Sequence, residues 1–73
     1  MNLGVAIKAV RTKRNLSQAE FANLVGCSES HISLMETNRR KPSFEMLVKI
    51  SEITETKLSQ LFLIAEMLDT TNK

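Results

Sequence analysis

The sequence predicts an all-α protein, a compact bundle of about five short helices. Three observations carry this. Apolar residues recur at three- and four-residue spacing along most of the chain, with no sustained period-two alternation. One proline and two glycines leave few breaks. Serine stands just ahead of such a pattern at Ser17, Ser28 and Ser43, where its hydroxyl oxygen can accept from an orphan helix amide.

The first helix runs from about Leu3 to Lys13, with Leu3, Ile7 and Val10 on one stripe. The second opens at "SQAE". Ser17 caps it, Glu20 completes a capping box, and Leu16 with Phe21 forms a hydrophobic staple. Gly26 takes the left-handed conformation that ends it. The third starts after Ser28 and runs to about Thr37; "RRKP" then breaks the pattern. Ser43 caps the fourth, which turns Leu47 and Ile50 inward, and the fifth covers about Leu58 to Leu68.

A chain of 73 residues is expected to form one domain, 1–73, with a modest core, a size that often gains stability by self-association. Cys27 is the single cysteine, so no intrachain disulfide is possible, and with no signal-peptide pattern the expected location is cytoplasmic. No apolar run is long enough to span a bilayer. The net charge of +2 is unevenly spread. Residues 1–45 carry seven Lys and Arg against four Glu, whereas residues 46–73 carry three Lys against four acids. A basic front and a neutral-to-acidic rear fit a polyanion on one side, although an ordinary solvated surface has the same composition. One His and one Cys, with no HExxH, CxxC, Gly-rich phosphate loop or nucleophile elbow, argue against an enzyme. No metal, cofactor or small-molecule ligand is indicated. The four methionines are scattered through the helical patterns and the initiator and read as filler, not as a cofactor box.

The stretch from Ser17 to Ser43 holds two brief helical patterns separated by "GCS" and followed by three cations. In a twenty-residue window opening at Gln18, the fifth residue is Ala22 and the ninth is Gly26. A small residue at the fifth place lets two helices cross closely, and a glycine at the ninth permits a turn of few residues. Phe21, Val25, Cys27, Ile32 and Met35 seal the underside. This is the packing requirement of a helix-turn-helix, whose second helix must stand proud of the body to enter a major groove. The alternative is an unrelated αα-hairpin.

The segments "RTKRNLSQAEFA", "VGCSESHISLME" and "LVKI" give the chain a resemblance to the lambda-repressor/Cro-like helix-turn-helix family. That family includes phage repressors, xenobiotic-response-element-like regulators, restriction–modification controller proteins and some antitoxins. The resemblance covers about Ile7 to Phe62. The chain departs from it at the turn before the fifth helix, where Glu55 replaces the usual glycine and Thr54 and Thr56 replace apolar residues.

The resemblance implies double-stranded DNA as the partner and assigns roles. Glu29, Ser30, Ser33 and Leu34 fall at exposed recognition-helix positions and would contact bases. Ser30 and Ser33 could reach base edges directly or through water, and Leu34 a thymine methyl. Glu29 could accept from cytosine N4 or only complement the helix dipole. Ser17 and Gln18 fall where the family contacts phosphate, although Ser17 could equally be a plain cap. His31 could reach a phosphate or be an exposed spectator. Thr37, Asn38, Arg39, Arg40 and Lys41 follow the recognition helix and resemble a phosphate clamp rather than a merely solvated charge run. Arg11 and Glu36 correspond to a structural pair joining the first helix to the third, and Cys27 to a small core group.

The fifth helix, "LSQLFLIAEML", is apolar nearly all round. Leu58, Leu61, Phe62 and Ala65 form a core stripe, leaving Leu63, Ile64, Met67 and Leu68 to face outward as a homodimer interface. The function expected is therefore a sequence-specific transcriptional regulator, a dimeric repressor of a pseudo-palindromic operator. The alternative is an antitoxin or controller module whose fifth helix engages another protein. Activation would need an acidic surface, for which Glu20 is the nearby candidate.

Overall fold

The computed structural model describes residues 1–68 and contains the five expected helices: α1 (Leu3–Lys13), α2 (Gln18–Val25), α3 (Glu29–Glu36), α4 (Phe44–Thr54) and α5 (Leu58–Met67). The first four begin alike. The side chains of Asn2, Ser17, Ser28 and Ser43 accept from the amides of Val5, Glu20, His31 and Met46 at 3.2, 3.0, 3.1 and 3.1 Å. At Ser17 the box is reciprocal, because its amide also donates to Glu20 Oε1 at 2.8 Å. α5 opens on Lys57 with no side-chain cap.

The same four helices end alike. Each closes on a left-handed residue, Asn15, Gly26, Asn38 or Glu55. The next amide then reaches back five residues: Leu16 to Arg11 O at 3.3 Å, Cys27 to Ala22 O at 3.0 Å, Arg39 to Leu34 O at 2.9 Å and Thr56 to Ser51 O at 2.9 Å. This closure satisfies carbonyls that the helix leaves unpaired. Asparagine tolerates the left-handed region, but Glu55 at φ 54° is strained there. The turn before α5 thus forms without the family's usual glycine.

Burial follows the helical period. Phe21, Ile7, Ile32, Met35, Ile50 and Leu61 are fully buried, each stabilising the fold by roughly 1.5–3 kcal/mol relative to exposure. α1 packs on α3, α4 and α5, and α2 lies across α3 and α4. Leu16 and Cys27 are half-buried against the core that contains Phe21.

Two boundaries and two burials differ from expectation. α3 stops at Glu36 with Thr37 as its C-cap, and α5 stops at Met67 with Leu68 as its C-cap. Phe62, expected in the core, and Ile64, expected outside, are both half-buried and packed against the core. The buried axis of α5 runs through Leu61 and Ala65, so Phe62 and Ile64 lie about 80° to either side of it. Leu63 and Met67 are 52% and 64% exposed. No helix among the described residues is long and apolar enough to cross a membrane.

Candidate nucleic-acid interface

The unit built from α2 and α3 turns at Gly26, Cys27 and Ser28. Gly26 has φ 91°, which a side chain would strain. Ala22 and Val25 on α2, with Ile32 and Met35 on α3, are buried. The opposite face of α3 presents Glu29 and Ser30 to solvent. Ser33, Leu34 and His31 were expected to be exposed or available to DNA; they are half-buried, on the flanks of this face. Glu29 lies in the first turn of α3, where a carboxylate complements the dipole.

α3 is held in place by a polar junction. Arg11 donates to Glu36 through Nε to Oε2 at 2.6 Å and through Nη2 to Oε1 at 3.1 Å. Its Nη1 donates to Leu16 O at 2.7 Å, and Gln18 Nε2 donates to Glu36 Oε1 at 3.0 Å. The two charged side chains are 8% and 2% exposed. The junction ties α1, the turn after it, the start of α2 and the end of α3 together. Gln18, expected at a phosphate, is half-buried with its side-chain amide on Glu36. Ser17 is exposed at the start of α2. The Ser17 amide, and then its hydroxyl, hold the exposed Glu20 carboxyl below its usual value. Burial pushes the Cys27 thiol above its usual value, partly opposed by Lys49.

The cationic segment leaves the end of α3 in a fixed direction. Asn38, at φ 61°, donates its amide to Met35 O at 3.1 Å, and the amides of Arg39 and Arg40 both reach Leu34 O, at 2.9 and 3.2 Å. Arg39, Arg40 and Lys41 are exposed, and no ion pair among the described residues engages them. Three exposed cations with no ion pair among the described residues thus follow α3 in the chain, after Thr37 and Asn38. Thr37 is exposed, with its hydroxyl donating to Ser33 O and Leu34 O at 2.9 and 3.2 Å.

Asn38, like Gln18, has its side-chain amide engaged within the protein. Its Oδ1 accepts from the Gly4 amide at 3.0 Å, and its Nδ2 donates to Asn2 Oδ1 at 2.7 Å. Its carboxamide is thus engaged with α1. Neither Asn2 nor Gly4 was singled out from the sequence. A glycine inside the first turn of a predicted helix was the available signal, since it weakens the helix unless a close approach requires it.

The chain matches the Helix-turn-helix family over residues 7–61. It is 32% identical over 60 residues to an uncharacterized HTH-type transcriptional regulator of Archaeoglobus fulgidus, covering 82% of this chain and 84% of that protein. It is 29% identical over 69 residues to the competence pilus inhibition repressor of Acinetobacter baylyi, covering 94% of this chain but only 63% of that relative. Its fold is similar to the clp gene regulator ClgR of Corynebacterium glutamicum, with a TM-score of 0.90 at 20% identity over 97% of this chain and 92% of that one. It is similar also to the DNA-binding domain of the P22 C2 repressor, with a TM-score of 0.80 at 29% identity over 99% and 92%.

Proposed function

Because this chain belongs to the helix-turn-helix family, we propose that it regulates transcription as a dimeric, sequence-specific repressor, with α3 in the major groove of a pseudo-palindromic operator. The observation that carries the reading is the exposed Glu29–Ser30 face of α3 together with exposed Arg39, Arg40 and Lys41 shortly after the helix, which make no ion pair among the described residues. In this reading Glu29, Ser30, Ser33 and Leu34 meet base edges. Arg39, Arg40 and Lys41 meet phosphates, assisted by Ser17, Gln18, His31 and Thr37. Repression is favoured because occupancy of a promoter suffices for it, and because the names of the A. baylyi and P22 relatives describe repressors.

Dimerisation is assigned to α5. Leu63, Met67 and Leu68 are large apolar side chains left exposed on one end of the molecule, with Ile64 at their margin. A two-fold axis there would present two copies of α3 to half-sites about one helical turn, roughly 34–36 Å, apart. Because Ile64 packs against the core, the clean disruption is Leu63→Glu combined with Met67→Glu. It should yield a folded monomer in analytical ultracentrifugation whose binding to the operator falls far more than its binding to random duplex.

Selection from random-sequence DNA, followed by titrations at several salt concentrations, tests the interface. Arg40→Ala should weaken selected and random duplex alike and flatten the log–log salt slope by about one unit. Ser30→Ala should cost roughly 1–3 kcal/mol on the selected site alone if the hydroxyl reads a base. Should Arg40→Ala change sequence preference while substitutions on α3 do nothing, α3 is not the reading helix.

A further inference from the structure

Three helix ends meet at two asparagines. Asn2 caps α1, its Oδ1 accepting from the Val5 amide at 3.2 Å. The backbone amide of Asn2 donates to Ala65 O, a carbonyl in the last turn of α5, at 2.9 Å. The same Oδ1 accepts Asn38 Nδ2 at 2.7 Å, and Asn38 Oδ1 accepts the Gly4 amide at 3.0 Å. Two first-turn amides of α1 are therefore satisfied by two different asparagines, one of them 34 residues away in sequence. Gly4 makes the approach possible. A Cβ there would lie 2.6 Å from both Glu36 O and Met35 O and 2.8 Å from Asn38 Oδ1.

We propose that Asn38 is a positioning residue for DNA binding. It would set the direction of Arg39, Arg40 and Lys41 and, through Asn2, register that segment against the end of α5. This rests on the reading of the cations as phosphate contacts. The backbone amides of Asn38, Arg39 and Arg40 close on Met35 O and Leu34 O, so the start of the segment is tied to α3. The carboxamide of Asn38 ties it also to the start of α1, which fixes its direction against a second helix. A cation held in the bound direction loses less freedom when it meets phosphate. With both side-chain groups of Asn38 engaged by α1, the residue acts through its neighbours and not as a phosphate ligand itself. The contact between Asn2 and Ala65 carries the same register to the helix assigned to dimerisation, so two copies would present their cations at a defined separation.

Asn38→Gly keeps the left-handed backbone accessible and removes the carboxamide, but it also loosens the chain there, so a matching loss in Asn2→Ala, which leaves the backbone of the segment as it is, assigns the effect to the side-chain contact. Asn2→Ala removes the partner from the other side. Ile50→Val, a truncation in the core of α4 outside the junction, controls for lost stability. The probe is the best duplex selected from random-sequence DNA, titrated at several salt concentrations well below each melting temperature. Asn38→Gly and Asn2→Ala should each weaken binding about ten-fold, the loss of roughly one net hydrogen bond's worth of ordering. Each should leave the salt slope near its wild-type value, because the same cations still meet phosphate, and Ile50→Val should change neither affinity nor slope. In the free protein, the Gly4 amide should exchange with solvent faster in Asn38→Gly than in wild type. Wild-type affinity in Asn38→Gly, or a loss no larger than that of Ile50→Val, would overturn the proposal while leaving the DNA-binding reading intact. A wild type that binds no duplex would overturn both.

Discussion

The buried pair of Arg11 and Glu36 should be the most costly single contact to break. Glu36 is 2% exposed at its side chain and its two oxygens accept from Arg11 Nε, Arg11 Nη2 and Gln18 Nε2. Glu36→Met removes all three acceptor contacts and leaves a guanidinium that is 8% exposed with Leu16 O as its remaining acceptor. Stranding a buried charge costs ~3–5 kcal/mol. A chain of this length holds roughly 4–11 kcal/mol in total, at ~0.05–0.15 kcal/mol per residue, so the loss is about half of what is available. Arg11→Met strands the carboxylate instead, with the Gln18 amide as partial compensation, and should cost somewhat less. The double variant removes both charges and puts methylenes into their space, so it should recover much of the loss. Urea unfolding followed by circular dichroism measures all four corners of the cycle. Each kcal/mol corresponds to ~4–8 °C in melting temperature, so the single variants should melt more than about 12 °C below wild type. If each single variant loses less than ~1 kcal/mol, the pair is no better than a surface contact and the reasoning fails.

Glu55→Gly should stabilise the chain by ~0.5–1 kcal/mol in the same unfolding assay, since it relieves a left-handed glutamate. The ion pair it removes, Glu55 with Arg14 at 3.3 Å, is largely exposed and contributes little. Gly4→Ala should destabilise by ~1–3 kcal/mol, because its Cβ would meet two backbone carbonyl oxygens at 2.6 Å, and a melting temperature equal to wild type would contradict that approach. The pH dependence at Glu20 has a definite sign. Its folded carboxyl is held below the usual 4.5, so its capping contribution is present above that pH and is lost as pH falls through the lowered value. The stability difference between wild type and Glu20→Gln should therefore shrink as the pH is lowered below 4.5, and a difference that stays constant with pH would count against the box.

What the sequence made legible was local. Ser17, Ser28 and Ser43 begin helices because their hydroxyls sit within reach of amides three residues on, a distance that sequence spacing alone determines. The break at Gly26 and the buried face of Phe21, Val25, Ile32 and Met35 followed from period and turn chemistry. The face of α5 was less legible, since a helix apolar on nearly all sides has no contrast from which to read its rotation. Phe62 and Ile64 straddle the buried axis equally, and which side of α5 meets α1 depends on packing between residues some 60 apart. Asn38 was illegible for a related reason. A polar residue just ahead of a run of cations reads as one more phosphate contact, and only the fold brings Gly4 and Asn2 to it.

The two polar junctions share an element that carries none of the expected DNA contacts. Arg11 comes from the last turn of α1, and Asn2 and Gly4 from its beginning. At one end α1 grips the carboxylate of Glu36, the last residue of α3, and at the other it grips Asn38, two residues further on. The packing of Ile32 and Met35 seats α3 on the core. Directional bonds to charged and amide groups add constraints at its C-terminal end and just beyond it. Their worth to stability alone is modest once desolvation is counted, but an eight-residue helix with three buried side chains needs such constraints to hold side chains within the tolerance that base-edge hydrogen bonds demand. On the proposed reading, α1 is therefore the strut against which α3 and the cations after it are aimed, with Arg11 acting on the end of α3 and Asn2 and Gly4 on the segment that follows.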